Sequence, residues 1–229
     1  MRICLIFAMR AEAQPIIDHF GLKEQESFFS PLPCRVYADL GESLFVVLNG
    51  VDRNRDLIGC EAAAVTTQVA IQKLQPGLVI SCGTCGGWQR YDARVGQTYI
   101  ADGVMFHDRR VPGDNEWGTQ GLGNYKVWEG SWKVAEALDL PMGKVTTGSS
   151  FDLSEEEDRF IDENGGRLKE MEGAAVAFVC SLYKVPVMLV KAVTNLRDAE
   201  EEDIDSFHEN LKRASLSLRE TLVRIISFL

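Results

Sequence analysis

The chain has 229 residues, with 34 acidic against 24 basic side chains and a formal net charge of −10. A hydrophobic content of 45% beside 25% charged residues is that of an ordinary globular protein, and the length fits one large domain. The acidic excess argues against nucleic acid or an anionic membrane as partner, since both select a basic footprint.

Arg2 to Ala8 is a compact apolar run fit for a buried strand, and Ala11 to Phe20 follows as a helix. This opening stretch is too short and too soon charged for a signal peptide, and no apolar run approaches a membrane span. Cys34 to Leu40 and Ser43 to Leu48 read as strands joined at Gly41-Glu42. Leu57 to Leu74 is an Ala-rich helix, punctuated by Pro76-Gly77 before the strand Leu78 to Ser81. Thr98 to Phe106 is a further strand, and Gly113 to Gly123, rich in Gly and polar residues, is expected to be a mobile loop. Trp128 to Leu138 is helical, Lys144 to Thr147 a short strand, and Glu155 to Asn164 a helix capped by Ser154. Val185 to Val193 is the cleanest buried strand. Ile204 to Phe228 is a long amphipathic helix with Leu211, Leu218, Leu222 and Ile225 on one stripe. Apolar strands alternating with helices predict an α/β fold: a single-domain three-layer sandwich over residues 1–229, its mixed β-sheet flanked by helices.

Cys4, Cys34, Cys60, Cys82, Cys85 and Cys180 lie mostly among apolar neighbours, a usage that points to free buried thiols and a cytoplasmic setting. Cys82-x-x-Cys85 lacks a second Cys/His pair at zinc spacing, and glycines continue past the second Cys where a redox helix should begin.

Ligands bind where the strands of such a sheet end. The segment Lys169-Glu170-Met171-Glu172-Gly173 places two carboxylates before a small-residue helix. On an extended chain Glu170 and Glu172 share a face, suited to gripping ligand hydroxyls. Cys82-Gly83-Thr84-Cys85-Gly86-Gly87 reads as a turn bringing backbone N–H groups to a ligand, without a dinucleotide or Walker pattern. Glu12 follows the first strand; taken alone it is a helix first-turn carboxylate. His107-Asp108 is either a catalytic pair or a loop salt bridge, and Asn195 and Asp198 read as strand-end caps.

Taken together, Met9 to Glu12, Gly83-Thr84-Cys85-Gly86-Gly87, Phe106-His107-Asp108, Thr147-Gly148-Ser149, Glu170-Met171-Glu172-Gly173-Ala174 and Lys191-Ala192-Val193-Thr194-Asn195 resemble the 5′-methylthioadenosine/S-adenosylhomocysteine nucleosidases, nearest the plant-type branch. These have the nucleoside phosphorylase-like fold. The resemblance implies hydrolysis of the N-glycosidic bond between adenine and a 5-thio-substituted ribose, with no metal or organic cofactor. It implies a homodimer whose partner closes the alkylthio pocket, for which Val104, Met105 and Val111-Pro112 are the expected apolar surface. By the same resemblance Glu12 is the general base acting through water, and Glu172 holds the ribose hydroxyls. Met171 and Phe207 line the ribose and alkylthio region, Phe151 faces the base, and Thr84, Cys85 and Gly86 lie against the nucleoside. Met9 and Glu170 complete the substrate-binding set. Arg53, Arg55 and Arg109 make no convincing phosphate cradle.

The chain departs from the family at Asn195, where Asp serves as general acid toward purine N7. An amide donates and accepts hydrogen bonds but delivers no proton. Three readings stand: an Asp-to-Asn variant, a nucleosidase for 6-oxopurine nucleosides of the futalosine kind, or proton transfer through another group such as Asp198 or water. A non-catalytic nucleoside-binding protein is the alternative of a different class.

Overall fold

The computed structural model describes residues 1–109, 111, 116–199 and 204–229, with the backbone alone at 204–207. In chain order the first half runs β1 (Ile3–Phe7), α1 (Arg10–Phe20), β2 (Lys23–Glu24), β3 (Arg35–Ala38), β4 (Leu44–Leu48), β5 (Val51–Asp52), β6 (Arg55–Asp56), α2 (Cys60–Leu74) and β7 (Leu78–Gly87). The second half runs β8 (Thr98–Phe106), α3 (Glu116–Leu122), α4 (Gly130–Leu138), β9 (Met142–Thr147), α5 (Glu155–Glu163), β10 (Gly166–Glu170), α6 (Gly173–Tyr183), β11 (Val187–Leu196) and α7 (Ile204–Phe228). Nine strands form one mixed sheet in the order β10-β9-β8-β11-β7-β1-β4-β3-β2. A further pairing joins β10 to β7, so β7, β11, β8, β9 and β10 close into a small barrel.

Helices cover both faces, as the sequence predicts, and the side-chain period of two divides each strand between two cores. Ile3, Leu5 and Phe7 of β1 face a core shared with Ile16 of α1 and Leu218, Leu222 and Ile225 of α7. Cys4 and Ile6 face the opposite core with Ala63 and Ala70 of α2 and Val176 of α6. Ser154 caps α5 through its bond from Glu157 N, with the Glu157 carboxylate returning to Ser154 N. Among the described residues no helix is long and apolar enough to cross a membrane.

Four expectations are corrected. Cys82 to Gly87 is not a turn: β7 continues through Gly87 because β11 pairs along it and β10 meets its end. Tertiary pairing there outweighs the poor strand propensity of glycine. Within Gly113 to Gly123, residues 113–115 lie outside the described residues, while Glu116–Leu122 is a helix with Gly121 seated close to the Arg109 carbonyl. The chain is not extended through Glu172, because the Glu170 carboxylate accepts from Glu172 N and Gly173 N and folds the segment into α6. Val104 and Met105 are buried in β8 and form no surface; Val111 is exposed, and Pro112 lies outside the described residues.

Candidate active site

A cavity of about 250 Å³ opens where β1, β7, β10 and β11 end. Met9, Glu12, Thr84, Cys85, Gly86, Phe151, Glu170, Met171, Glu172 and Asn195 all line it. The sequence-derived set therefore converges on one site, apart from Phe207, whose side chain lies outside the described residues.

Glu12 sits in the first turn of α1, 4% exposed. Its Oε1 accepts from Thr84 N and Thr84 Oγ1, each at 2.7 Å, and Oε2 accepts from Met9 N at 3.3 Å. These bonds depend on a close approach of β7. Gly83 has φ +149°, and a Cβ there would lie 3.3 Å from Glu12 Oε1. Burial raises the Glu12 pKa, opposed by the Thr84 hydroxyl and by the Lys191 charge. A raised pKa makes the carboxylate a stronger base, suited to taking a proton from water.

Glu170 lines the same cavity, but its oxygens are engaged inside the protein. Oε1 accepts from Thr147 Oγ1, while Oε2 accepts from Glu172 N and Gly173 N and pairs with Lys191 Nζ at 2.8 Å. Burial would raise its pKa, yet Lys191, Thr147 and Gly173 N hold it below the usual carboxylate range. Glu170 thus acts as a fixed anion at the N-terminus of α6, where the helix dipole favours it.

Glu172 is partly buried, and its Oε1 accepts from Gly59 N at 2.7 Å. Burial, then repulsion from Glu170, lifts its pKa to about 7 against the attraction of Lys191; Glu12 adds to the rise. Lys191, which the sequence presents as one charge within an apolar strand, is the buried cation shared by all three carboxylates. Burial would lower its pKa, but Glu170 and Glu172 drive it well up.

Asn195 is aimed by an irregularity in β11. The register with β7 runs Val193 to Cys85 and then Asn195 to Gly86, leaving Thr194 as the extra residue. Such a bulge re-aims a side chain. Thr194 Oγ1 bonds the Cys85 carbonyl and Asn195 Oδ1, the latter at 3.0 Å.

Reading the sequence missed Ile58, Lys169, Thr194 and Arg197, which also line the cavity. Asp198 does not serve it: its carboxylate accepts from Gln89 N and Arg90 N. His107 and Asp108 do not pair. His107 is buried with Nδ1 unpartnered among the described residues, its pKa lowered to about 4 by burial and by Lys169, while Asp108 accepts from Ser149 N. Arg53, Arg55 and Arg109 do not line the cavity. All six cysteines are free, and among the described residues no three His, Cys, Asp or Glu side chains group as metal ligands.

Residues 2–227 match the model of the phosphorylase superfamily, the class that this fold and site define. The chain is 35% identical to an Arabidopsis thaliana 5′-methylthioadenosine nucleosidase, over 99% of this chain and 86% of the relative. It is 34% identical to a 5′-methylthioadenosine/S-adenosylhomocysteine nucleosidase of the same plant, over 99% and 91%. The apo structure of the Arabidopsis thaliana 5′-methylthioadenosine nucleosidase superposes with a TM-score of 0.94 at 34% identity, covering 99% of this chain and 95% of the other. The chain belongs to the 5′-methylthioadenosine/S-adenosylhomocysteine nucleosidase family.

Proposed function

We propose that this protein is a purine nucleosidase that hydrolyses the N-glycosidic bond of 5′-methylthioadenosine and S-adenosylhomocysteine, releasing adenine and a 5-thio-substituted ribose. The observation that carries this reading is the convergence of Glu12 and Glu172, both raised by burial, on one cavity with an amide and an aromatic ring on its walls. Breaking the bond develops positive charge on the ribose. Ionised Glu172 favours that charge and accepts from the sugar hydroxyls. Glu12 takes the proton of the attacking water. Phe151 and Asn195 face the purine, and Met9 and Met171 flank the sugar and its 5′ substituent. The 34–35% relatives, all named for methylthioadenosine, favour this substrate over a 6-oxopurine nucleoside.

The activity resides in one domain spanning residues 1–229, working in the cytoplasm, where reduced thiols such as these persist. It acts as a homodimer. Val65 on α2 and Phe178, Leu182 and Tyr183 on α6 are exposed apolar side chains on packed neighbouring helices. A hollow lined by Phe178, Phe106 and Ser149 adjoins this face, placed for a partner subunit to close.

The test is base release from methylthioadenosine, S-adenosylhomocysteine and inosine, without and then with phosphate. Release of adenine from the thio-nucleosides, independent of phosphate, is expected. Binding without release would make the protein a nucleoside carrier, and release only with phosphate a phosphorylase.

A further inference from the structure

One row of residues crosses the sheet along the cavity wall. Gly86 on β7 pairs with Asn195 on β11 to one side and with Lys169 on β10 to the other. Residues aligned across neighbouring strands project to one face. Lys169 and Asn195 thus stand on the same wall, their strands about 10 Å apart, with a position lacking any side chain between them. Arg197 fills that gap: a Cβ on Gly86 would lie 2.5 Å from Arg197 Cδ.

Lys169 is only 4% exposed, yet it lines the cavity. Its Nζ donates to the carbonyls of Ser150 at 2.6 Å and Phe151 at 3.1 Å. An ammonium has three donors. Two hold the segment that carries Phe151, and the third has no partner among the described residues.

We propose that Lys169 is the proton donor to the departing purine, a task the amide of Asn195 cannot perform. The inference rests on the nucleosidase reading above. The C1′–N9 bond breaks with its electron pair moving into the purine, and one ammonium proton passes from Lys169 Nζ to a ring nitrogen, so the base leaves neutral. Water adds to C1′ and gives its proton to Glu12. After release, Lys169 regains a proton from solvent and Glu12 returns one, so a single water is consumed.

The surroundings suit a donor. Burial draws the Lys169 pKa down to about 8, Arg197 acts in the same direction, and Glu157, Asp152 and Glu170 oppose them. The other titratable neighbour, His107, is held neutral by burial and by Lys169 itself. Proton donors work best with a pKa near the operating pH.

The experiment compares two leaving groups in the unaltered protein, Lys169→Met and Lys169→Arg. 5′-Methylthioadenosine needs its base protonated, whereas a 4-nitrophenyl 5-methylthio-riboside releases a stable anion. Lys169→Met is expected to lower adenine release by about 10²-fold or more beyond any loss of nitrophenol release, that shared loss measuring the contacts to Ser150 and Phe151. Lys169→Arg keeps the charge and the loop contacts but is no acid, so it is expected to retain nitrophenol release and lose adenine release. Equal losses on both substrates would reduce Lys169 to a structural prop. Full adenine release by Lys169→Arg would leave only its charge, and either result overturns the proposal. No turnover of either substrate by the unaltered protein would sink the nucleosidase reading itself. Turnover of the nitrophenyl riboside alone would overturn both the donor assignment and the adenine-releasing activity, leaving a glycosidase that needs an activated leaving group.

Discussion

Lys191 Nζ lies 2.8 Å from Glu170 Oε2, both side chains almost wholly buried. Glu12 and Glu172 sit within range of the same ammonium. The ammonium draws down the pKa of both carboxylates that face the cavity, while the Glu170 carboxylate pushes Glu172 up. Lys191→Met should strand Glu170 as an uncompensated buried anion, at a cost of about 3–5 kcal/mol. Adding Glu170→Gln should recover most of that loss. Urea unfolding of both single variants and the double variant tests the coupling. With Glu170 depressed, its contribution is present above its unfolded pKa and lost as pH falls. The acid sensitivity of unfolding should therefore weaken in the double variant.

Glu12→Gln should lower kcat by about 10²- to 10⁴-fold while the fold stays intact, because the amide oxygen can still accept from Thr84. Rapid-quench measurement of adenine release, with a thermal melt as control, checks it. An unchanged kcat would remove Glu12 from the water-activating role.

The pH dependence of kcat/KM should be bell-shaped. Glu172 must be ionised to favour the sugar cation, so the rate should rise as pH passes about 7. Lys169 must be protonated, so it should fall as pH passes about 8. Glu172→Gln should remove the Glu172 contribution to the acid limb and leave that of Glu12, whose pKa burial also raises, and Lys169→Met should abolish the basic limb. Initial rates from pH 5 to 10 in one mixed buffer decide both.

Much of this site was legible in the sequence because its residues follow strand ends, and strand ends are marked by apolar runs giving way to polar residues. Glu12 and Glu172 follow strand ends in this way. Thr84 and Asn195 were marked by the same change to polar residues, although β7 and β11 run past them. The family resemblance supplied the roles of Glu12, Glu172 and Asn195. Lys169 and Lys191 were not marked, since a lysine in a strand carries no local sign of what it meets. Their roles arise from the pairing of Lys169 with Gly86 and from the helix turn that brings Glu170 back to Lys191. The strand character of Cys82 to Gly87 was hidden for the same reason: only its neighbours on both sides reveal it. Thr194 as a bulge residue is likewise a property of register, which one strand alone does not encode.

Asn195→Asp gives an independent reading of the leaving-group side. In the unaltered protein the change should alter adenine release by less than about tenfold, because Lys169 already supplies a proton. In the Lys169→Met background the new carboxyl should restore at least about tenfold. Steady-state assays of the four proteins form a cycle. Additive effects would show that the two positions act separately.

Leu182→Glu places a charge at a side chain 64% exposed on α6. It should shift the protein from dimer to monomer in sedimentation at micromolar concentration, and KM for the thio-nucleoside should rise more than kcat falls. A dimer that tolerates the glutamate would place the interface elsewhere.

The pairing of β10 with β7 also bears on solubility. An open nine-stranded sheet has two edges, each a template on which another chain can add a strand. Here β10 is hydrogen-bonded on both sides, to β9 and to β7, so the barrel end presents no such row. Among the described residues the other edge of this sheet is β2, only Lys23 and Glu24, both exposed and of opposite charge. A strand that short and that hydrophilic gives an incoming chain little to grip. The closure that brings Lys169 beside Gly86 therefore also guards the folded protein against sheet-to-sheet aggregation.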